Sequence, residues 1–355
     1  MTQDVIRVEG QPVPRGDMQL GFGKEFTDHM LTMWYHEGRG WHDARIEPYH
    51  NFEMNPACMV LHYGQEAFEG LKAYRGKDEG IYLFRHRDNF ARLNASCERL
   101  VMPQVDIEYV SRALKQLVLL DQEWIPRTEG CSLYIRPNII AMDPFLGVRP
   151  SQSYLFYIIM SPVAAYYPEG FNPVKIFVSE KYVRAVPGGV GSAKTAGNYA
   201  ASLKAQREAA SKGYTQVLWL DAVERRFVEE VGTMNIFFLF DDELCTSPLT
   251  GSLLPGITRD SVLKLADHWG LKYAERKIAI DEVMEGAESG RLKECFGTGT
   301  AAIISPVKAI SYKGKEVVVG NGGTGPLAER LYNHILHLQY GKIEDPFGWV
   351  ERIDR

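Results

Sequence analysis

An isolated lysine stands in the segment GGVGSAKTAGNYAAS, where glycines and small residues surround Lys194. No acidic residue occurs for several positions on either side, so the nearby sequence offers its ammonium group no partner. An ordinary solvated loop lysine, the commoner case, would fit this setting. The setting also fits a nucleophilic amine that a cofactor or substrate must be able to reach.

Two further patterns supply other parts of a possible site. Glu229 and Glu230 end a predicted strand before a glycine turn, so one of them must point inward and needs a cationic partner. Backbone N–H groups are available to an anion at Ile257 and Thr258, where PGITR begins a predicted helix, and at the turn GTGTA. Arg92, on the helix after YLFRHRD, could pair with a phosphate.

A reactive lysine, an inward carboxylate and a phosphate cradle together meet the needs of pyridoxal phosphate. This cofactor requires an amine for its aldehyde, an acid that keeps its ring nitrogen protonated, and a pocket for its phosphate. Each element alone is unspecific. A lysine Schiff-base aldolase without a cofactor, or a non-catalytic nucleotide-binding module, therefore remains an alternative.

Two other patterns imitate binding sites. GNGGTG (Gly320 to Gly325) has the G-x-G-x-x-G spacing of a dinucleotide-binding turn, but too few residues follow it for the rest of a nucleotide-binding half. We interpret it as a loop before a helix that begins at Pro326. His334 and His337 lie three residues apart, yet no third ligand is nearby, so we predict no metal site.

Composition narrows the class of protein. Of the 355 residues, 45% are hydrophobic, enough to fill the cores of two domains. The net charge is −5 with scattered basic residues, so we expect no nucleic-acid partner. No apolar run is long enough for a membrane span, and the N-terminus resembles neither a secretory signal nor a transit peptide. Five widely spaced cysteines without a C-x-x-C favour a reduced, cytoplasmic compartment.

The elements that must position these residues are strands and helices in mixed order. Helical spacing, bounded by glycine or proline, predicts helices over 87–102, 111–125, 199–213, 254–270 and 325–341. Strand-like alternation and β-rich composition predict strands over 80–86, 131–140, 153–163, 175–180, 215–221, 225–230 and 235–240. The helix over 254–270 should have Pro255 just inside its start and end at Gly270. Without a strict βαβ alternation, we predict an α+β fold in two domains, over 1–167 and 174–355, joined by a linker over 168–173.

The sequence resembles the branched-chain amino-acid aminotransferases, which have the type IV fold of pyridoxal-phosphate enzymes. The resemblance runs through LHYGQEAFEGLKAYRG, SLYIRP, GSAKTAGNY, VEEVGTMNIF, LPGITR and FGTGTAAIISPV, and it covers nearly the whole chain. It implies a smaller N-terminal α/β domain, a larger C-terminal cofactor-binding domain, and a homodimer with the active site at the domain junction. It also implies reversible, ping-pong transfer of an amino group between L-leucine, L-isoleucine or L-valine and 2-oxoglutarate. A D-amino-acid aminotransferase, or a lyase acting on an aminated chorismate, is the nearest alternative with the same fold.

The resemblance also implies roles for single residues. Lys194 matches the Schiff-base lysine, Tyr199 the tyrosine at the cofactor's phenolic oxygen, and Glu230 the acid at the pyridine nitrogen, whereas Glu229 matches no known role. The phosphate binders would be Arg92, Ile257, Thr258 and Thr300. The substrate pocket would contain Phe22, Tyr63, Phe68, Tyr134, Arg136, Thr233, Thr300 and Ala301, with Val148 contributed by the partner subunit. Some relatives carry a redox C-x-x-C where this chain has Ala302 and Ser305, so that regulation is not expected.

Overall fold

The structure is a computed structural model that describes residues 4–5, 20–164 and 171–354. The linker predicted at 168–173 falls partly outside these ranges, and the domain boundaries stay a prediction. The chain divides into two compact units. The first is drawn from Met1–Tyr166, Ala193–Ala196 and Leu336–Arg355, and the second from Tyr167–Ser192 and Gly197–Ile335. The segment that contains Lys194 therefore packs with the first unit, although it is distant from most of that unit in sequence.

Strands and helices alternate irregularly through the described residues, which confirms the predicted α+β class. The strands are β1 (Asp4–Val5), β2 (His29–His36), β3 (Gly40–Pro48), β4 (Glu66–Phe68), β5 (Leu71–Arg75), β6 (Ile81–Phe84), β7 (Ser132–Ala141), β8 (Ser153–Val163), β9 (Val174–Val178), β10 (Gln216–Leu220), β11 (Val228–Val231), β12 (Met234–Phe240), β13 (Glu243–Thr246), β14 (Lys272–Glu275), β15 (Leu292–Gly299), β16 (Ile303–Tyr312), β17 (Lys315–Val318) and β18 (Val350–Arg352). The helices are α1 (Met59–Tyr63), α2 (His86–Arg99), α3 (Ile107–Leu120), α4 (Ala196–Ser211), α5 (Ile257–His268), α6 (Ile280–Ser289) and α7 (Pro326–Gln339). Within the described ranges, no helix has the length and hydrophobicity of a membrane span.

The first unit is built on a nine-stranded sheet in the order β1-β3-β2-β8-β7-β5-β6-β18, with β4 also paired to β7. The strands β7 and β8 lie in its middle, as their apolar sequences predict. Because side chains alternate along a strand, Tyr134, Arg136 and Asn138 of β7 share one face. The short strand β4 is antiparallel to β7 and places Phe68 opposite Asn138. Register therefore gathers several of the predicted pocket residues on one face.

The helices α2 and α3 pack into the core of the first unit. The residues Phe90, Leu93 and Cys97 follow the helical spacing of α2, and all three are fully buried. The helix α3 begins after Asp106, whose carboxylate accepts a hydrogen bond from the Tyr109 N–H at 3.1 Å. Because the apolar side of α2 is buried in the core, the helix holds Arg92 and Ser96 in fixed positions.

The second unit contains a sheet whose strands close on themselves. Its order is β11-β10-β9-β16-β15-β12-β13-β14, β17 pairs with β16, and β11 also pairs with β12. The strands from β11 to β12 therefore form a ring of six. Both faces of β11 are covered, and each of its four residues is buried. The turn predicted at GTGTA lies later than expected, because β15 runs through Gly299 and residues 300–302 connect it to β16.

Candidate active site

The main chain around Lys194 is held by hydrogen bonds to the first unit. The Phe68 N–H donates to the Lys194 carbonyl at 3.0 Å, and the Thr195 hydroxyl donates to the Glu66 carbonyl at 2.7 Å. The Lys194 N–H donates to the Ser96 hydroxyl at 2.9 Å. The lysine is therefore fixed between β4 and α2, immediately before α4, and does not belong to a freely moving loop.

The Lys194 amine lies near an aromatic ring and within the field of a buried acid. Its Nζ is 4.9 Å from the centroid of the Phe68 ring. Burial opposes ionisation of Glu69, but the Arg92 guanidinium and, less strongly, Lys194 hold the pKa of Glu69 below its ordinary value. The amine thus lacks acids among its sequence neighbours but has one among its neighbours in space.

Arg92, predicted as a phosphate partner, makes a bidentate ion pair with Glu69. Its Nε and Nη2 lie 2.7 and 2.9 Å from the two carboxylate oxygens. Asn89 donates a further hydrogen bond to Glu69 at 2.9 Å. Sequence reasoning missed Glu69, and its place beside Phe68 in the FEG motif was the available signal. The pair fixes the direction of the Arg92 guanidinium.

Four predicted pocket residues of the first unit lie together. The Arg136 Nη2 donates to the Tyr134 hydroxyl at 2.9 Å, and the guanidinium carbon is 4.8 Å from the Phe68 ring centroid. Phe22 packs edge-on against Tyr134 with 4.9 Å between ring centroids. A Cβ at Gly70 would lie 2.1 Å from the Tyr134 hydroxyl, so only glycine fits there. The resulting group combines aromatic faces with one guanidinium.

Tyr63 and Val148 belong to a different part of the first unit. The Tyr63 hydroxyl donates to the Leu146 carbonyl, and 40% of Tyr63 is exposed. Val148 is 85% exposed. Leu61, Phe145 and Leu146 are exposed as well, and we call the exposed apolar side chains of α1 and of residues 145–148 the apolar surface. Such a cluster of exposed apolar side chains is typical of an interface.

The second unit contains a buried carboxylate with a cationic partner. Glu230 of β11 is 2% exposed, and its Oε2 lies 2.7 Å from the Arg184 Nε in an ion pair. The other oxygen accepts hydrogen bonds from the Leu254 N–H at 2.9 Å and from the Asn235 amide at 3.2 Å. The sequence indicated that an inward acid needs a cation, but it did not identify Arg184.

The neighbouring Glu229 is buried as well. It points to the opposite face of β11, where the Ser252 hydroxyl donates to its carboxylate. Burial raises the pKa of Glu229, although Ser252 and Arg184 act in the other direction. One of the two acids was expected to point inward, and both are buried, on opposite faces of the strand. The alternation of strand side chains holds, but the closed ring of strands covers both faces.

Glu230 lines a small recess together with two other predicted site residues, Tyr199 and Thr233. The remaining lining residues are Arg184, Asn198, Ser202, Gly232 and Leu254. Within the recess, hydroxyls, an amide and an ion pair lie close together. The fold of the second unit thus brings Tyr199 together with Glu230 and Thr233, which come from a separate stretch of sequence.

The helix α5 begins three residues later than the predicted residue 254 and ends at His268, two residues before the predicted Gly270. Gly256 is its N-cap and Ile257 its first residue, so Pro255 precedes the helix and is not inside it. A Cβ at Gly256 would lie 1.9 Å from the Asn235 side-chain oxygen, which explains why glycine occupies the cap. Ile257 and Thr258 lie in the first turn, where N–H groups have no partner within the helix. Thr300 and Ala301, both half-buried, occupy the turn between β15 and β16.

The GNGGTG segment leads into α7, which begins at Pro326 as predicted. The Glu294 carboxylate accepts hydrogen bonds from the Leu327 and Ala328 N–H groups, each at 2.9 Å. Because a carboxylate of the chain itself already occupies this helix N-terminus, a phosphate there would meet like charge. The contact favours the loop interpretation over a dinucleotide site.

Comparison with known proteins identifies the class that this fold and these residues define. A family model described as class IV amino-transferase matches residues 66–310. The chain belongs to the class IV aminotransferases, and it is a pyridoxal-phosphate-dependent transaminase.

Relatives within the class specify the enzyme further. The chain is 54% identical to branched-chain-amino-acid aminotransferase 2 of Bacillus subtilis, over 99% of this chain and 98% of that protein. A solved branched-chain amino acid aminotransferase from Escherichia coli is 28% identical, with a TM-score of 0.74, covering 93% of this chain and all of that one. Another, from Thermoproteus uzoniensis and solved with norvaline, is 26% identical with a TM-score of 0.76, covering 92% and 99%. The resemblance to branched-chain aminotransferases, predicted from the motifs, is confirmed.

Ligands in a further solved relative bear on the substrates. This branched-chain amino acid aminotransferase is 26% identical to the chain, with TM-scores of 0.74 and 0.75 in two crystal structures that cover 95% of this chain and all of that one. One structure contains N-(5'-phosphopyridoxyl)-L-glutamate and the other 4-methylvaleric acid. That relative therefore binds one ligand with the side chain of glutamate and another with an aliphatic chain.

The burial of Glu230 leads to a prediction about stability. Arg184→Met removes the cation and leaves a buried carboxylate without its counter-charge. We expect the free energy of unfolding of the cofactor-free protein to fall by about 3–5 kcal/mol. Arg207→Met, at an exposed position of α4, is the matched control and should change it by less than about 0.5 kcal/mol. Urea titration measures both. Equal stability of the two variants would contradict the importance of the ion pair.

Proposed function

We propose that this transaminase transfers the amino group of L-leucine, L-isoleucine or L-valine to 2-oxoglutarate in a reversible ping-pong cycle. The observation that carries the proposal is the buried Glu230 carboxylate, oriented by Arg184 and two hydrogen-bond donors. An adjacent guanidinium favours the ionised form of a carboxylate. A negative oxygen held in this way can accept a hydrogen bond from a protonated pyridine nitrogen, which is what pyridoxal phosphate requires.

The residues present fit pyridoxal phosphate. In the proposal Lys194 supplies the amine that binds the aldehyde, Tyr199 contacts the phenolic oxygen and Glu230 the ring nitrogen. The phosphate would be held by Arg92 and by residues at a helix start and a tight turn, namely Ile257, Thr258 and Thr300. Arginine forks and N–H groups at helix starts and turns are common phosphate donors.

When bound, pyridoxal phosphate supplies a sink for the electrons released when the α-carbon of the amino acid loses its proton. The chain contributes the proton transfers. The Lys194 Nζ accepts the α-proton as a base and later donates a proton as an acid. Its fixed main chain keeps the swing of the amine short, and the Phe68 ring beside it limits access of water. The N–H groups of Thr300 and Ala301 are proposed to bind the substrate α-carboxylate.

The role of Lys194 predicts where the cofactor is attached. Borohydride reduction of the purified protein should fix the pyridoxyl group to Lys194, and mass spectrometry of the peptides should find it there. Lys204, exposed on the following helix, is the internal control and should stay unmodified. Label on another lysine, with Lys194 unmodified, would show that the assignment is wrong.

One pocket must accept both an aliphatic side chain and the distal carboxylate of glutamate. We infer that Phe22, Phe68 and the ring of Tyr134 contact the aliphatic chain, and that Thr233 is a further substrate-binding residue. Arg136, oriented by its hydrogen bond to Tyr134, receives the carboxylate. The relative crystallised with the phosphopyridoxyl conjugate of glutamate and with 4-methylvaleric acid holds ligands of these two kinds.

Arg136→Met tests whether Arg136 binds the distal carboxylate while the aromatic side chains bind the aliphatic chain. Loss of a charged hydrogen-bond donor should lower kcat/KM for glutamate and for 2-oxoglutarate, by an amount equivalent to about 1.5–3 kcal/mol of binding free energy. Leucine should be affected much less, because methionine keeps the apolar volume. Steady-state kinetics with both amino acids measures the difference. Equal losses for leucine and glutamate would mean that Arg136 supports the architecture and does not select between substrates.

We also propose that the enzyme is a homodimer in which Val148 completes the pocket of the partner subunit. The support is the apolar surface, in which Val148 is the most exposed apolar side chain that is described. Tyr63, placed by sequence in the substrate pocket, lies on this same surface, so a second copy would bring it against a neighbouring chain. Burial of such a surface stabilises association.

Val148→Asp should disturb this interface. A carboxylate placed in a desolvated apolar contact is costly, so we expect weaker dimerisation and at least a tenfold lower kcat/KM for leucine, with the cofactor still bound. Sedimentation velocity and the visible absorbance of the protein measure the two effects. Val223→Asp, at another exposed valine, is the control. A fully active monomer of the unaltered chain would contradict the proposal.

A further inference from the structure

A second acid lies on the same face of the sheet as Arg136. Glu66 and Phe68 are two residues apart on β4, so their side chains point to one side. Phe68 pairs with Asn138 of β7, and Asn138 pairs with Tyr157 of β8. The Asn138 amide donates to the Tyr157 hydroxyl at 2.9 Å, and it also lowers the pKa of the Glu66 carboxyl. No role has been given to Glu66, Asn138 or Tyr157 so far.

Glu66 and Arg136 interact electrostatically. Burial raises the pKa of Glu66 above its ordinary value, while the Asn138 amide, the Arg136 guanidinium and the Ala196 N–H partly offset that rise. The pKa of Tyr157 is also raised, mainly by burial, and the two charges act on it in opposite directions, Glu66 upward and Arg136 downward. Both groups therefore lie near Tyr157 on this face of the sheet.

This arrangement bears on the requirement for two kinds of substrate. The Arg136 guanidinium carbon lies 4.8 Å and the Lys194 Nζ 4.9 Å from the centroid of the Phe68 ring. A leucine side chain placed beside an uncompensated guanidinium would remove water from that charge without replacing it. A carboxylate near the guanidinium reduces this cost, and Glu66 is so placed.

We propose that Glu66 is a specificity-determining residue that serves as the counter-charge of Arg136. With an apolar substrate bound, Glu66 balances the guanidinium, so the pocket carries little net charge. With glutamate or 2-oxoglutarate bound, the distal carboxylate of the substrate competes with Glu66 for the same guanidinium. Glu66 thus strengthens apolar binding and moderates acidic binding. The inference rests on the proposed role of Arg136 in binding the distal carboxylate. It adds Glu66 as the residue that adjusts how strongly Arg136 favours acidic over apolar substrates.

Glu66→Gln tests the proposal, because it removes the charge and keeps the shape. We expect the dissociation constant of glutarate, an unreactive diacid, to fall about three- to tenfold. That of 4-methylpentanoate, an unreactive apolar acid, should rise about three- to tenfold. Calorimetry on the holoenzyme measures both. Opposite changes in the two dissociation constants distinguish an effect of charge from structural damage, because damage would weaken the binding of both ligands.

Three further variants complete the design. Glu66→Asp keeps the charge and should leave the ratio of the two constants within about twofold of the unaltered enzyme. Glu37→Gln removes one carboxylate from the exposed turn between β2 and β3 and should change neither constant. Asn138→Ala removes the amide that stabilises the charged Glu66. It should shift both constants in the same directions as Glu66→Gln, by less, and it replaces that variant if the latter does not fold.

The double variant Glu66→Gln with Arg136→Met separates this proposal from the one on which it rests. Without Arg136, loss of Glu66 should no longer weaken 4-methylpentanoate. If Arg136→Met alone fails to weaken glutarate selectively, the proposed role of Arg136 is wrong, and the role of Glu66 is wrong with it. Arg136→Met could weaken glutarate selectively while Glu66→Gln changes the two dissociation constants in the same direction, or changes neither. Only the role of Glu66 would then be overturned.

Discussion

The ion pair between Glu230 and Arg184 is the interaction on which the site of the second unit depends. A buried carboxylate is tolerated only when a counter-charge and hydrogen bonds replace the water it has lost. The fold supplies both. Arg184 Nε pairs with Oε2 of Glu230, while the Leu254 N–H and the Asn235 amide donate hydrogen bonds to Oε1. The same asparagine approaches the start of α5 so closely that only glycine fits at Gly256. One charge therefore constrains a strand, a loop and a helix start.

The first unit follows the same rule with different residues. Glu69 is fully buried and paired with Arg92, while Glu66 opposes Arg136 on the face of the sheet. Lys194 adds a further cation near Phe68. Within the described parts of this unit, the Arg92 guanidinium thus has a carboxylate beside it, and that of Arg136 has one on the same face of the sheet. The pairing of Arg92 orients its guanidinium before a ligand arrives, and we propose that Glu66 lowers the cost of placing an apolar substrate near Arg136.

Local patterns in the sequence predict much of this arrangement, but pairings between distant segments do not follow from them. Period-two alternation placed Tyr134 and Arg136 on one face, and the contacts between them agree with it. Helical spacing predicted α2 and its buried side. Arg184, Glu69 and Glu66 were missed because each has its role through a partner brought near only by strand register or by packing. A pattern within one segment contains no information about such a partner.

The central claim is that the Glu230 carboxylate, and not that of Glu229, meets the ring nitrogen of the cofactor. The most direct test is the ¹⁵N chemical shift of that nitrogen in protein loaded with ¹⁵N-labelled pyridoxal phosphate. We predict the shift of a protonated ring in the unaltered enzyme and in Glu229→Gln, and the shift of an unprotonated ring in Glu230→Gln. A protonated ring that persists in Glu230→Gln, or that is lost only in Glu229→Gln, would contradict the account.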